Sequence, residues 1–191
     1  VMAGYDAADP FSRRLRLGAL GDVTPGLRIG IPREADLDFL GSGEAEAAFA
    51  DAVRRIEAMG ALVLEIDLTP FQEVAQLLYH GPWVAERTAA VGAFIAANPD
   101  AIHPITKGII SQGFEKTAVD AFKGLYRLRE LSRAARTALQ PFDALMVPTI
   151  PAPVTLAQLE ADPIRLNTEL GTYTNFVNLL DLCGFSVPAA L

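Results

Sequence analysis

At 191 residues and 20.4 kDa, with 51% hydrophobic and 20% charged residues and a mean hydropathy of +0.26, the chain holds too much apolar matter to stay disordered. A formal charge of -7 and a pI near 4.8 argue against a nucleic-acid backbone or an anionic membrane surface as partner. One cysteine, Cys183, and two histidines, His80 and His103, provide neither an internal disulfide nor a Cys/His metal set, so no metal is expected and a reducing, cytoplasmic setting fits.

The opening VMAGYDAADP lacks a basic stretch followed by an apolar run, and no apolar run of about 18 residues occurs, so neither a signal peptide nor a membrane span is predicted. Asp6 and Asp9 have the spacing of an acid–base pair but read more simply as a turn with Pro10 and Ser12. Residues 27–31 alternate and end at Pro32, which predicts a strand; the apolar run 61–68 (ALVLEIDL) predicts a second. Ala45, Phe49, Val53, Ile56 and Met59 recur at helical spacing between them. Ser42 is placed to cap that helix, Glu44 and Glu46 suit its positive end, and Gly60 can take the left-handed stop. The Gly41-Ser42-Gly43 turn lacks the lysine of a phosphate loop, so it reads as a helix entry. Together these segments form a βαβ unit with parallel strands.

Pro82 begins a further helix that runs to about Ala97 and ends at Asn98-Pro99. Val84, Arg87, Val91, Phe94 and Ile95 share much of one side, which sets a guanidinium on an apolar stripe. The longest helix is predicted over 115–139, with a seam of Ala118, Ala121, Leu125, Leu128, Ser132, Ala135 and Leu139 expected to pack on the chain's own sheet rather than in an intermolecular coiled coil. Residues 143–147 (DALMV) predict a buried strand closed by Pro148, and PTIPAPV a surface loop. A short helix over 156–161 is broken by Pro163, another covers 173–182, and a strand-like end follows Gly184. The fold class is α/β, a mostly parallel or mixed sheet flanked by helices, in a single domain over 1–191. The abrupt ends at Val1 and Leu191 predict a partial domain that, taken alone, associates or is marginally stable because sheet neighbours are missing.

The chain contains no G-x-S-x-G, H-E-x-x-H or G-x-x-x-x-G-K-[ST] motif. Cys183, in the apolar LLDLCGF, reads as a small buried hydrophobe, and His80 and His103 as turn and loop residues. Arg87 stands out. Its planar fork suits a planar carboxylate, from a protein acid or from a ligand, and burial unpaired would be costly. Tyr79, eight residues earlier and just outside the helix start, could reach the same space with its hydroxyl.

Several segments together resemble the amidase signature family. These are LRIGIPRE (27–34), MGALVLEIDL (59–68), FDALMVPTIPAP (142–153) and NFVNLLDLCGFSVPA (175–189). AGYDAADPFSR (3–13), LYHGPWVAER (78–87) and LGTYTNFVNLLDLCG (170–184) resemble, within that family, the allophanate hydrolases. The resemblance implies an amide hydrolase using a serine nucleophile, a second serine and a lysine, with no cofactor. It places those catalytic groups ahead of Val1, because Lys107, Lys116 and Lys123 stand in other contexts. No catalytic residue is therefore expected in this chain, which by itself should be inactive. What remains is recognition of a small ureido-carboxylate substrate, carried at the matching positions by Tyr79 and Arg87, with Thr149 and Asn175 as candidate pocket walls. A homo-oligomer and a functional link to a urea carboxylase are partner expectations of the same resemblance. The alternatives are a biuret-type amidase, a glutaminase-like subunit, and a non-catalytic module that binds small acids.

Overall fold

The computed structural model describes residues 4–14 and 26–188. Three parallel strands, β1 (Arg28–Pro32), β2 (Leu62–Ile66) and β3 (Ala144–Leu145), form a sheet in the order β2-β1-β3. Helix α1 (Gly43–Ala58) makes the crossover between β1 and β2, as its apolar period predicts. Ser42 Oγ accepts the Ala45 N–H at 3.2 Å, Glu44 and Glu46 lie in the first turn, and Gly60 leaves the helix at φ +92°. The expected strand over 143–147 is shorter, although its flanks still pair: Asp143 N–H donates to Arg28 O at 2.8 Å and Met146 N–H to Gly30 O at 2.9 Å.

Helices α2 (Thr69–His80), α3 (Trp83–Ala97), α4 (Pro104–Ser111) and α5 (Ala118–Leu139) follow β2. Neither α2 nor α4 was expected. Each carries proline in its first turn, Pro70 and Pro104, where the missing N–H costs no bond. Helix α6 (Leu156–Ala161) has the predicted bounds and stops before Pro163, but Pro163 then opens a further, unexpected helix, α7 (Pro163–Leu170). The helix expected over 173–182 shrinks to α8 (Phe176–Leu179), and Asp181 at φ +55° ends it. No strand follows among the described residues: 182–188 is irregular and Phe185 is exposed, while 189–191 lie outside the described residues. Cys183 is exposed, which corrects the buried-hydrophobe reading.

The core is built around α2. Phe71 and Val74, both fully buried, join Leu68, Leu131 and Ala135 of α5, and Tyr173, Phe176 and Leu180. Phe71 meets Phe176 edge-on at 5.1 Å. Truncating either ring would cost about 3–5 kcal/mol by cavity formation. Helix α5 thus packs chiefly on α2, and its buried residues are Gly124, Leu131 and Ala135. The predicted seam is rotated: Ala118 and Leu125 are exposed. In α3 the buried set is Val84, Thr88, Gly92 and Ile95, leaving Val91 and Phe94 exposed and Arg87 at the margin.

Candidate functional site

The turn between α2 and α3 brings two of the four predicted residues together. Gly81 N–H donates to Leu77 O at 2.9 Å, and a Cβ at Gly81 would collide with the Leu77 carbonyl, so the reversal requires glycine. From the far side Gly124 lets α5 approach closely enough that an added Cβ would lie 2.5 Å from Pro82 Cδ. Thr88, buried on α3, has the carbonyls of Val84 and Ile110 within hydrogen-bond reach, which holds α3 to α4. Clamped this way, the corner sets Tyr79 in the last turn of α2 and Arg87 in the second turn of α3.

Arg87 Cζ lies 6.0 Å from the centre of the Tyr79 ring, the outer limit of cation–π attraction. Arg87 is half-buried, and among the described residues no carboxylate lies within ion-pair distance of it. Its five donors are therefore not committed to an internal acid. Tyr79 is 37% exposed, which leaves its face accessible beside the guanidinium.

Thr149 and Asn175 are not joined to that pair by any hydrogen bond or ion pair among the described residues. Thr149 follows β3 and is exposed, its Oγ1 3.1 Å from Ser186 Oγ. It stands on the carboxyl edge of the parallel strands, where open α/β sheets bind ligands. Asn175 folds its amide back over Gly171, whose added Cβ would meet it, and its N–H donates to Gly171 O at 2.9 Å. Two hollows stand out among the described residues, of about 650 Å³ on α5 and about 590 Å³ beside Arg33 and Glu65; none of the four residues lines either. His80 and His103 are exposed, at the end of α2 and the start of α4. The Asp6 and Asp9 carboxylates accept the N–H groups of Ala8 and Phe11, both at 2.9 Å, as a turn requires. No group of three or more metal-ligating side chains occurs, and no helix is long and apolar enough to cross a membrane, among the described residues.

Three arrangements escaped the sequence reading. At the carboxyl edge of β1 and β2, Arg33 pairs with Asp36 at 2.8 Å and with Asp67 at 2.6 Å, and Asp36 also accepts the Leu68 N–H. Thr69, through its hydroxyl and its N–H, together with Arg33, holds the Asp67 carboxyl below its usual range. Tyr173 is fully buried: its hydroxyl accepts from Asp38 N–H at 2.6 Å and donates to Asp38 O at 2.9 Å, and burial pushes the phenol up. Arg13 grips Asp181 with two parallel bonds of 2.7 Å, so the described part of the first segment, 4–13, and the segment 170–184 are in contact. Opposite charges around Arg13, Arg33 and their acids are the one sequence signal for the ion pairs, and the Tyr173 contact with the Asp38 backbone has none. Apart from Arg33–Asp36, three positions apart, the partners lie too far apart along the chain to be matched without coordinates.

Comparison with known proteins identifies the scaffold that carries these residues. The Amidase family model matches residues 1–191. The urea amidolyase of Saccharomyces cerevisiae is 35% identical over 183 residues, 95% of this chain and 10% of that protein. An allophanate hydrolase of Kluyveromyces lactis superposes with a TM-score of 0.84 at 33% identity, over 89% of this chain and 28% of that one. A glutamyl-tRNA(Gln) amidotransferase component from Thermotoga maritima, at 18% identity and a TM-score of 0.61 over 93% of this chain and 39% of that one, shares the fold. The chain thus spans about a tenth of the urea amidolyases and little more than a quarter of the allophanate hydrolase. A parallel sheet flanked by helices, with a family match along its whole length, makes this chain a member of the Amidase family.

Proposed function

We propose that this chain is the substrate-recognising part of an amidase domain that hydrolyses the C–N bond of allophanate, releasing ammonia and a carbamate-type product in urea breakdown. The observation that carries the reading is Arg87: half-buried, without an acid partner among the described residues, and flanked by Tyr79. A fork with two parallel donors fits the carboxylate of a ureido acid and distinguishes it from a neutral amide, which offers no anionic pair of oxygens. The Arg13–Asp181 grip supports the narrower assignment, since it ties together two of the segments that resemble allophanate hydrolases.

Amide hydrolysis in this family needs a nucleophilic serine and its serine–lysine relay, and no residue of this chain takes those roles in the reading offered here. Residues 1–191 are one partial domain in which Tyr79 and Arg87 bind the carboxylate, and Thr149 on the carboxyl edge of the sheet and Asn175 add wall. The pocket closes against other parts of the same amidase domain. The test compares hydrolysis of allophanate, biuret and glutamine by the complete enzyme. A kcat/KM for allophanate at least tenfold above the other two supports the reading. Preference for biuret, which has no carboxylate, overturns the carboxylate assignment, and preference for glutamine, whose carboxylate lies farther from its amide, overturns the ureido-acid assignment and favours a glutaminase-like enzyme.

A further inference from the structure

At the carboxyl edge of the sheet one contact remains that neither the core nor the carboxylate fork uses. Thr149 Oγ1 and Ser186 Oγ lie 3.1 Å apart, which joins the loop after β3 to a segment 37 positions further on. Thr149 stands between Pro148 and Pro151, both buried, so rigid neighbours fix its backbone while its own side chain stays exposed. Ser186 lies between Phe185 and Val187, which are 91% and 67% exposed and belong to no part of the core. Among the described residues no backbone hydrogen bond ties 183–188 to the sheet, and neither hydroxyl has a second protein partner. Two hydroxyls are thus paired with each other, and exposed, at the edge where parallel α/β sheets take ligands.

We propose that the Thr149–Ser186 hydroxyl pair reads the internal N–H of the ureido substrate, which makes Ser186 a specificity-determining residue. The inference deepens the allophanate reading and rests on it. Two hydroxyls carry two O–H donors and four lone pairs between them. The bond they share takes one donor and one lone pair, which leaves one donor and three acceptor positions for a ligand. In a planar ureido acid one carboxylate oxygen always sits on the same edge as the internal N–H. Donor and acceptor therefore stand side by side on the substrate, the complement of the hydroxyl pair. One hydroxyl oxygen accepts the N–H, and the remaining O–H donates to the carboxylate oxygen, whose other lone pair stays available to the Arg87 fork. A lone hydroxyl rotates freely, whereas pairing fixes which lone pair is offered, so the second hydroxyl supplies direction as well as a partner. Arg87 then separates a carboxylate from a neutral amide, and the hydroxyl pair separates a ureido acid from an amide acid with carbon in place of the internal nitrogen.

The complete enzyme is tested with allophanate and with malonamate, which keeps the carboxylate and the terminal amide but has CH2 in place of the internal N–H. Comparing each substrate between wild type and variant cancels the different reactivity of the two carbonyls. Ser186→Ala should lower kcat/KM for allophanate about three- to tenfold, the range of one uncharged hydrogen bond. For malonamate the loss should be less than about twofold, because that substrate needs only the O–H donor, which Thr149 still supplies. Thr149→Val should give the same contrast, with Ser186 as the remaining donor. Ser186→Thr, which restores a hydroxyl, should keep most of the allophanate rate that alanine loses. Both side chains are exposed, so the variants should melt with the wild type. Equal losses on the two substrates, no loss on allophanate, or a threonine variant as poor as alanine overturns the proposal. Arg87→Ala should lower both substrates, since both carry the carboxylate. If it lowers neither while Ser186→Ala still acts on allophanate alone, the carboxylate assignment fails and the N–H contact stands.

Discussion

Removing a single oxygen atom, in Tyr173→Phe, tests how the loop after β1 is tied to the helices. The ring is fully buried among Phe71, Phe176 and Leu180, and phenylalanine fills the same space, so no cavity opens and the substitution isolates the hydroxyl. That hydroxyl makes two bonds, accepting from Asp38 N–H at 2.6 Å and donating to Asp38 O at 2.9 Å, across 135 positions of sequence. At a net 0.5–1.5 kcal/mol each, their loss should cost about 1–3 kcal/mol. For a domain of this size that lowers Tm by roughly 2–4 °C per kcal/mol. The pH dependence has a definite sign. Burial raises the folded phenol above its ordinary value, so the neutral form is favoured by folding. The stabilisation is complete below the usual phenol range, about pH 10, and is lost as pH rises through the higher folded value. The assay is a thermal melt of wild type and variant at neutral and alkaline pH, with hydrogen exchange at the Asp38 amide. The variant should melt lower, exchange Asp38 faster and lose part of the wild type's alkaline destabilisation. An unchanged Tm together with unchanged Asp38 exchange would refute the reasoning.

Gly124→Ala should cost about 1–3 kcal/mol by forcing α5 away from the Pro82 turn, and because that turn sets Tyr79 beside Arg87 it should also raise KM for the carboxylate substrate; a neutral melt would contradict the close approach. Acid should destabilise the fold partly through Asp67, whose carboxyl is held low by Thr69 and Arg33. Its contribution is present above the ordinary carboxylate range, about pH 4, and disappears as pH falls through the lower folded value, so Asp67→Asn should flatten the acid limb of a melt-versus-pH curve. Thr149→Val is expected to leave stability nearly unchanged, since Thr149 and its partner Ser186 are both exposed, while reducing kcat/KM in the complete enzyme; equal activity would remove Thr149 from the pocket wall.

The βαβ unit was legible in the sequence because its signals are local. Ser42, the acidic first turn and Gly60 each act within a few residues, and the structure uses all of them. Pro163 ends the helix over 156–161 as expected but also opens α7, and Pro70 and Pro104 open helices that no periodic run announced, because the ring that breaks a helix interior is accepted in a first turn. Periodicity found α5 but rotated its seam, because glycine scores as no hydrophobe although Gly124 makes the closest approach, and Leu125 turns outward. Arg87 stands out in the sequence as an unusual cation on an apolar helix with Tyr79 expected nearby, and the coordinates add the reversal at Gly81 that brings the two together. Tyr173–Asp38 and Arg13–Asp181 join residues more than a hundred positions apart, and no local pattern encodes such pairs.

Whether the Arg87 guanidinium receives the substrate carboxylate is settled most directly by the selectivity of Arg87→Ala in the complete enzyme. Steady-state kcat/KM for allophanate should fall about 30- to 1000-fold, corresponding to the roughly 2–4 kcal/mol of a charge-assisted bidentate contact. Hydrolysis of a small neutral amide by the same variant should change less than about threefold, because the serine machinery is untouched. Equal losses on both substrates, or an unaltered kcat/KM for allophanate, would contradict the account.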